Sequence, residues 1–93
     1  MEFEFDRLKS NRNKSKHGLD FVEAQALWAD DRQVEARARS HREPRFIVIG
    51  MIGRNCFAAV ITFRDERIRI VSIRGARKEE VALYESQELR PKI

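Results

Sequence analysis

The apolar rhythm of this chain predicts an α+β domain, on three observations. From Val34 to Arg74 the pattern alternates with a period of two, broken by turn residues at "GRN" and "DE". Helix-like segments stand on either side, "DRLKSNRNKSKHG" near the start and "ARKEEVALYESQE" near the end. The 93 residues suffice for one core, so residues 1–93 read as a single domain.

Each element has a local reason. In "MEFEF", Phe3 and Phe5 alternate with Glu2 and Glu4, as in a short strand with one buried face. Asp6 can cap a helix running to about His17, and Gly18 suits the left-handed residue that ends it. A second helix opens at "DFVE", where Asp20 and Glu23 have capping-box spacing. Phe21, Ala24 and Trp28 share one face of that helix, with Leu27 beside them, and its partner is a sheet. Val34, Ala36 and Ala38 alternate with Glu35, Arg37 and Arg39, which suits an edge strand of low hydrophobicity. "RFIVIGMI" and "CFAAVITFR" form a hairpin, "RIRIVSIR" the next strand, and a closing helix runs from about Ala76 to Glu88. Pro91 forbids much extension. The predicted order is a short N-terminal strand, two helices, a four-stranded antiparallel meander and a C-terminal helix.

Composition narrows the function. Nineteen Lys+Arg against fifteen Asp+Glu give a net charge of +4 and an isoelectric point near 9.7. Nucleic acid is the leading partner on that balance, with an arginine-rich soluble surface as the alternative. Cys56 is alone, which excludes an intrachain disulfide and a cysteine metal cluster, and in a strand it reads as a small hydrophobe. No HxH, HExxH or CxxC pattern occurs, so no metal site and no cofactor are expected. No apolar run reaches membrane-spanning length and the start is unlike a signal peptide, so a cytoplasmic protein is expected. His41 lies in the polar connection "RSHREPR" and is expected to be exposed and mobile.

The cations are not scattered evenly. On the first helix Lys9, Arg12 and Lys16 share a stripe, and no acid occurs from Arg7 to His17. Like charges at such spacing cost a few tenths of a kcal/mol per pair. A helix polar nearly all round is either held by something else or faces a partner. The second concentration is "RIRIVSIRGARK". Strict alternation puts Ile68, Ile70, Ser72 and Arg74 on one face and Arg67, Arg69, Val71 and Ile73 on the other, leaving Arg74 at the end of a core-facing row. Arg77 and Lys78 fall in the first turn of the closing helix, an end that prefers anions, so a bound phosphate would explain them. Glu80 looks toward the sheet and can orient an arginine of the last strand. Tyr84 reads as a core residue with a hydrogen-bonded tip.

The chain resembles the BrnT family of toxins from type II toxin–antitoxin systems. The resemblance rests on "FD" at 5–6, "N..KHG" at 13–18, "F.EA...W.D" at 21–30, "RF..IG" at 45–50 and "RIRIVSIR.A...E...YE" at 67–85. It departs at Phe5, Asp31 and Gly75, where the family often has tryptophan, proline and a basic residue. The resemblance implies a fold similar to RelE and ParE toxins and a metal-independent endoribonuclease that inhibits translation. It also implies a cognate antitoxin similar to BrnA, a ribbon-helix-helix protein through which alone the pair would touch DNA.

Metal-free RNA cleavage needs a base for the ribose 2′-OH, cations for the charged transition state and an acid for the leaving 5′-oxygen. The catalytic candidates are His17, Lys16, Arg69, Arg74 and Arg77: an imidazole side chain can give or take a proton, and guanidinium groups match phosphate in a fork. Lys9, Arg12, Lys14, Arg67 and Lys78 are expected to follow the RNA backbone, and Glu80 and Tyr84 to orient the site. The alternative is a non-catalytic module that binds RNA or the ribosome through the same cations. A third reading makes the basic surface a seat for an acidic antitoxin segment. For Lys16-His17-Gly18 a purely structural reading, a helix end rich in cations and capped by glycine, also accounts for the spacing.

Overall fold

The structure is a computed structural model that describes residues 1–39 and 42–87. Its elements are β1 (Glu2–Glu4), α1 (Arg7–His17), a 3₁₀ helix (Glu23–Ala29), β2 (Val34–Ala38), β3 (Arg45–Ile52), β4 (Asn55–Arg64), β5 (Arg67–Gly75) and α2 (Lys78–Ser86). The class is α+β as expected. His41 and the end of the chain, with Glu88 and Pro91, lie outside the described residues.

The four-stranded meander is joined by β1 into a five-stranded sheet. The sheet order is β1-β5-β4-β3-β2, with β2 to β5 antiparallel and β1 parallel to β5. The short N-terminal strand is thus part of the sheet, which is mixed. β1 matches Glu2 with Arg67, Phe3 with Ile68 and Glu4 with Arg69.

One sheet face carries Val48, Ala59, Ile61, Ile68, Ile70 and Ile73, packed with Ala24 and Leu27 of the 3₁₀ helix and with Phe21 just before it. The opposite face carries Ile49 and Ala58 and is covered by Tyr84 of α2, with Ile47, Met51 and Cys56 beside them. Cys56 therefore packs as the small hydrophobe its strand position suggested. Burial pushes its thiol pKa up.

Two local expectations are corrected. The second helix is 3₁₀ rather than α. Its buried residues Ala24 and Leu27, with Phe21 in the turn just before it, recur every third position, the repeat that three residues per turn stack in line. Trp28 is displaced to the margin, edge-on to Phe3 with centroids 4.9 Å apart. The Asp20–Glu23 reciprocal cap does form: Glu23 N–H donates to Asp20 Oδ1 at 2.7 Å and Asp20 N–H to Glu23 Oε1 at 3.0 Å.

The second correction concerns β5. Its pairing with β4 slips between Val60 and Ile61, so that Val60 faces Ser72 and Ile61 faces Ile70, leaving Val71 as an extra residue. The bulge resets the alternation. Ile73 joins Ile68 and Ile70 in the core, and Arg74, expected to extend that row, points instead to the α2 side.

Where β5 and β3 run past the ends of their outer neighbours, a polar side chain meets each exposed stretch of strand. Among the described residues no strand pairs with the outer edge of β5 beyond Arg69, and at Ile73 the carboxamide of Asn13 takes a strand's place. Beyond Val34 the outer edge of β3 is met by Asp30, whose Oδ2 accepts from Met51 N–H at 2.8 Å. Gly50 gives the second contact room, because a Cβ there would stand 3.1 Å from that carboxylate oxygen and 3.2 Å from Leu27.

Candidate nucleic-acid interface

Helix α1 is held by polar anchors, not by an apolar stripe. Asp6 caps it by accepting from Lys9 N–H at 3.1 Å, and Gly18 ends it at φ +86°. Its buried residues are Ser10 and Asn13. Asn13 donates to the carbonyls of Leu19 and Ile73, both at 2.8 Å, and accepts from Ile73 N–H at 3.2 Å. Ser10 Oγ accepts from Phe21 N–H at 2.9 Å. The first helix is therefore nearly apolar-free because backbone hydrogen bonds hold it against β5 and the loop after it. Its remaining faces are left for charge.

Between α1 and β5 lies an open groove of about 310 Å³, lined by Lys9, Arg12, Asn13, Lys16, His17, Val71 and Ser72. The predicted stripe and His17 thus converge on one surface. Among the described residues no carboxylate pairs with Lys9, Arg12 or Lys16. Lys14 parts from them: it turns to Glu23, with Nζ 2.7 Å from Oε1. The carboxylate of Glu23 raises the Lys14 pKa and the ammonium lowers that of Glu23.

The arginines of β5 are partnered. Arg67 lies 3.3 Å from Glu2, and Arg69 donates to Glu4 at 2.7 Å, so the acids of β1 answer these arginines register by register. The matching alternation of "EFE" and "RIR" is a signal the sequence already contained. Arg74 makes a bidentate pair with Glu80, Nη1 to Oε1 at 2.7 Å and Nη2 to Oε2 at 2.9 Å. Their side chains are only 21% and 12% exposed, so solvent screens this pair less than the others. The guanidinium beside Glu80 holds its carboxyl below the usual range against the opposing effect of burial.

Glu80 also answers the charge at the α2 N-terminus. Arg77 is the cap residue, outside the first turn, and its N–H donates to Glu80 Oε1 at 2.7 Å. Lys78 opens the helix and is exposed. The anion this end calls for is internal, supplied by Glu80 with Glu79 beside it. Val71 and Ser72, the β5 wall of the groove, thus lie along the strand between two carboxylate-bound arginines, Arg69 and Arg74.

Tyr84 has the hydrogen-bonded tip expected of it, donating to Asp30 Oδ2 at 2.6 Å. Burial and the Asp30 carboxylate push its pKa up to about 12. Burial pushes Asp30 upward too. The bonds from Tyr84, Met51 and Arg32 outweigh it and leave the carboxyl below its ordinary value. Asp30 and Asn13 escaped the reading for charge and periodicity, although both fall within the quoted motifs.

Residues 5–80 match the family model described as ribonuclease toxin, BrnT, of type II toxin–antitoxin system. The chain belongs to the BrnT family. The match takes in α1, the 3₁₀ segment, β2 to β5 and Glu80, so the whole groove lies within it. As a BrnT-family member the chain is a ribonuclease toxin with an antitoxin as its counterpart. No curated protein matches it. Among the described residues no helix is long and apolar enough to cross a membrane. No three His, Cys, Asp or Glu side chains among them gather into a group able to hold a metal ion.

Proposed function

We propose that the α1–β5 groove holds the RNA backbone and that the chain cleaves RNA there without a metal ion. The observation that supports this most is the convergence of Lys9, Arg12, Lys16 and His17 on one open surface with no carboxylate among its lining. His17 takes the proton of the ribose 2′-OH, and the 2′-oxygen attacks the adjacent phosphorus. The bond from phosphorus to the 5′-oxygen breaks, and that oxygen takes a proton from water at the open groove. The products are a 2′,3′-cyclic phosphate and a 5′-hydroxyl. Lys16, Arg12 and Lys9 carry the phosphate charge, which a flexible ammonium or a guanidinium stabilises without proton bookkeeping.

Arg69, Arg74 and Arg77 play a supporting part. Three of the five N–H groups of Arg74 are engaged in described bonds, two to Glu80 and one to Gly75 O, which leaves two for a phosphate oxygen. Glu80 fixes the guanidinium plane, and Tyr84 fixes α2 through Asp30. Arg67, Lys78 and, once released from Glu23, Lys14 extend the cationic track outward. The fold is of the RelE and ParE kind, and cleavage inhibits translation in the cytoplasm. A BrnA-like ribbon-helix-helix antitoxin neutralises the chain by covering the groove with acidic side chains, and it alone touches DNA.

The test is cleavage of labelled RNA by the purified chain in EDTA. Fragments with cyclic-phosphate ends are expected from the wild type and not from His17→Ala. Cleavage that survives both His17→Ala and Arg74→Ala places the chemistry elsewhere. Retention of RNA without any fragments makes the chain a binding module instead.

A further inference from the structure

The edge of the sheet farthest from the groove carries a second message. β2 is the outermost strand, its inner edge paired with β3, and among the described residues no strand pairs with its outer edge. Exposed edges are ordinarily blunted by proline, lysine or a bulge. The strand reads "VEARA", and its pairing with β3 runs from Val34 to Ala38 without a slip.

Its charges are symmetric. Glu35 and Arg37 are both exposed and stand on either side of Ala36. Across β3 they face Val48 and Phe46, so the neighbouring strand offers neither a counter-ion. A strand edge presents the N–H and C=O of alternate residues, so in a two-fold antiparallel pairing opposed residues keep the same parity. Three registers centre within the charged part of the strand. Centred on Glu35, two carboxylates oppose each other; centred on Arg37, two guanidinium groups do. Centred on Ala36, Glu35 of each copy faces Arg37 of the other, Ala36 meets Ala36, and Val34 faces Ala38. Only this register sets opposite charges together throughout and small side chains at the axis.

We propose that β2 is a self-complementary edge through which two copies of the chain pair, antiparallel about Ala36, into one continuous sheet. β3 and β4 separate β2 from β5, so the joint leaves both α1–β5 grooves open at the outer ends.

Sedimentation equilibrium of the full chain over a concentration series tests this with Glu35→Arg, Arg37→Glu and the double exchange. The wild type should self-associate, and each single variant should weaken association roughly tenfold or more, since both symmetry-related pairs become like-charged. The double exchange should restore wild-type association. An equimolar mixture of the two single variants should form a mixed dimer, because one copy then offers two cations at these positions and the other two carboxylates. A wild type monomeric throughout, single variants that associate as the wild type does, or a double exchange that restores nothing would each overturn the proposal. Circular dichroism checks that every variant is folded.

Discussion

Two cationic clusters look alike in the sequence and differ in the structure. Among the described residues Lys9, Arg12 and Lys16 sit on α1 with no carboxylate paired to them, whereas Arg74 at the β5–α2 corner is locked two-pronged onto Glu80. The first cluster is anchored from beneath by Asn13 and Ser10, so its charged side chains take no part in holding the fold. The second holds the fold with the charges themselves. Cations that carry no structural duty are available to a ligand, and cations bound to a carboxylate are chiefly architecture. That difference orders the mutational effects on stability.

The largest loss is expected at the anchor. Asn13→Leu removes a carboxamide bonded to both backbone groups of Ile73 and to Leu19 O. Buried groups left without partners cost about 1–3 kcal/mol each, so a loss of about 3 kcal/mol or more is expected in urea unfolding. A near-zero change would mean that α1 does not need this tie.

Arg74→Ala comes next, at about 2–3 kcal/mol, because a largely buried Glu80 loses its bidentate partner. Arg12→Ala should leave the unfolding midpoint in place, and equal effects at the two sites would erase the contrast. The Glu80 pair also has a pH signature. Its carboxyl is lowered from an ordinary 4.5 in the folded chain, so its contribution is fully present above that value. It is lost as pH falls through the lower folded value. Glu80→Gln should therefore flatten the acid limb of the stability–pH curve.

A smaller effect, about 1 kcal/mol, is expected for Tyr84→Phe, which deletes one hydrogen bond to Asp30. Tyr84 is the chain's only tyrosine, so ultraviolet titration reads it directly. Its ionisation should appear near 12 rather than 10.0. The stability it lends is complete below the ordinary value and fades as pH rises through the folded one.

The smallest effect on stability, and the sharpest on binding, belongs to the groove. Alanine at Lys9, Arg12 or Lys16 should leave unfolding unmoved. Each should lower the slope of log affinity for single-stranded RNA against log salt by about 0.7 for every phosphate that is no longer neutralised. An unchanged slope in all three would remove the groove from the RNA path.

Much of the fold was legible locally. Asp6 and Gly18 bound α1 where the sequence puts its caps, and β2 to β5 run where alternation and turn residues put them. The 3₁₀ segment was legible but misread, since Phe21, Ala24 and Leu27 keep a spacing of three that an α-helical template absorbs as one loose face. The bulge at Val71 was not legible from strict alternation, because an extra residue shows only against the partner strand. Asn13 escaped for a related reason. On a helix polar all round, nothing in its type separates a buried amide from an exposed one.

The sequence by itself determined the caps, the strand rhythm, the basic excess and the motifs that place the chain among BrnT toxins. These depend on residues a few positions apart, whose geometry the backbone period sets. Only the tertiary structure decided which cations are spoken for. Arg69 meets Glu4 across 65 positions, and Asn13 meets Ile73 across 60. Attraction falls off with distance in space rather than along the chain, so a counter-ion has no address in the sequence until the sheet closes.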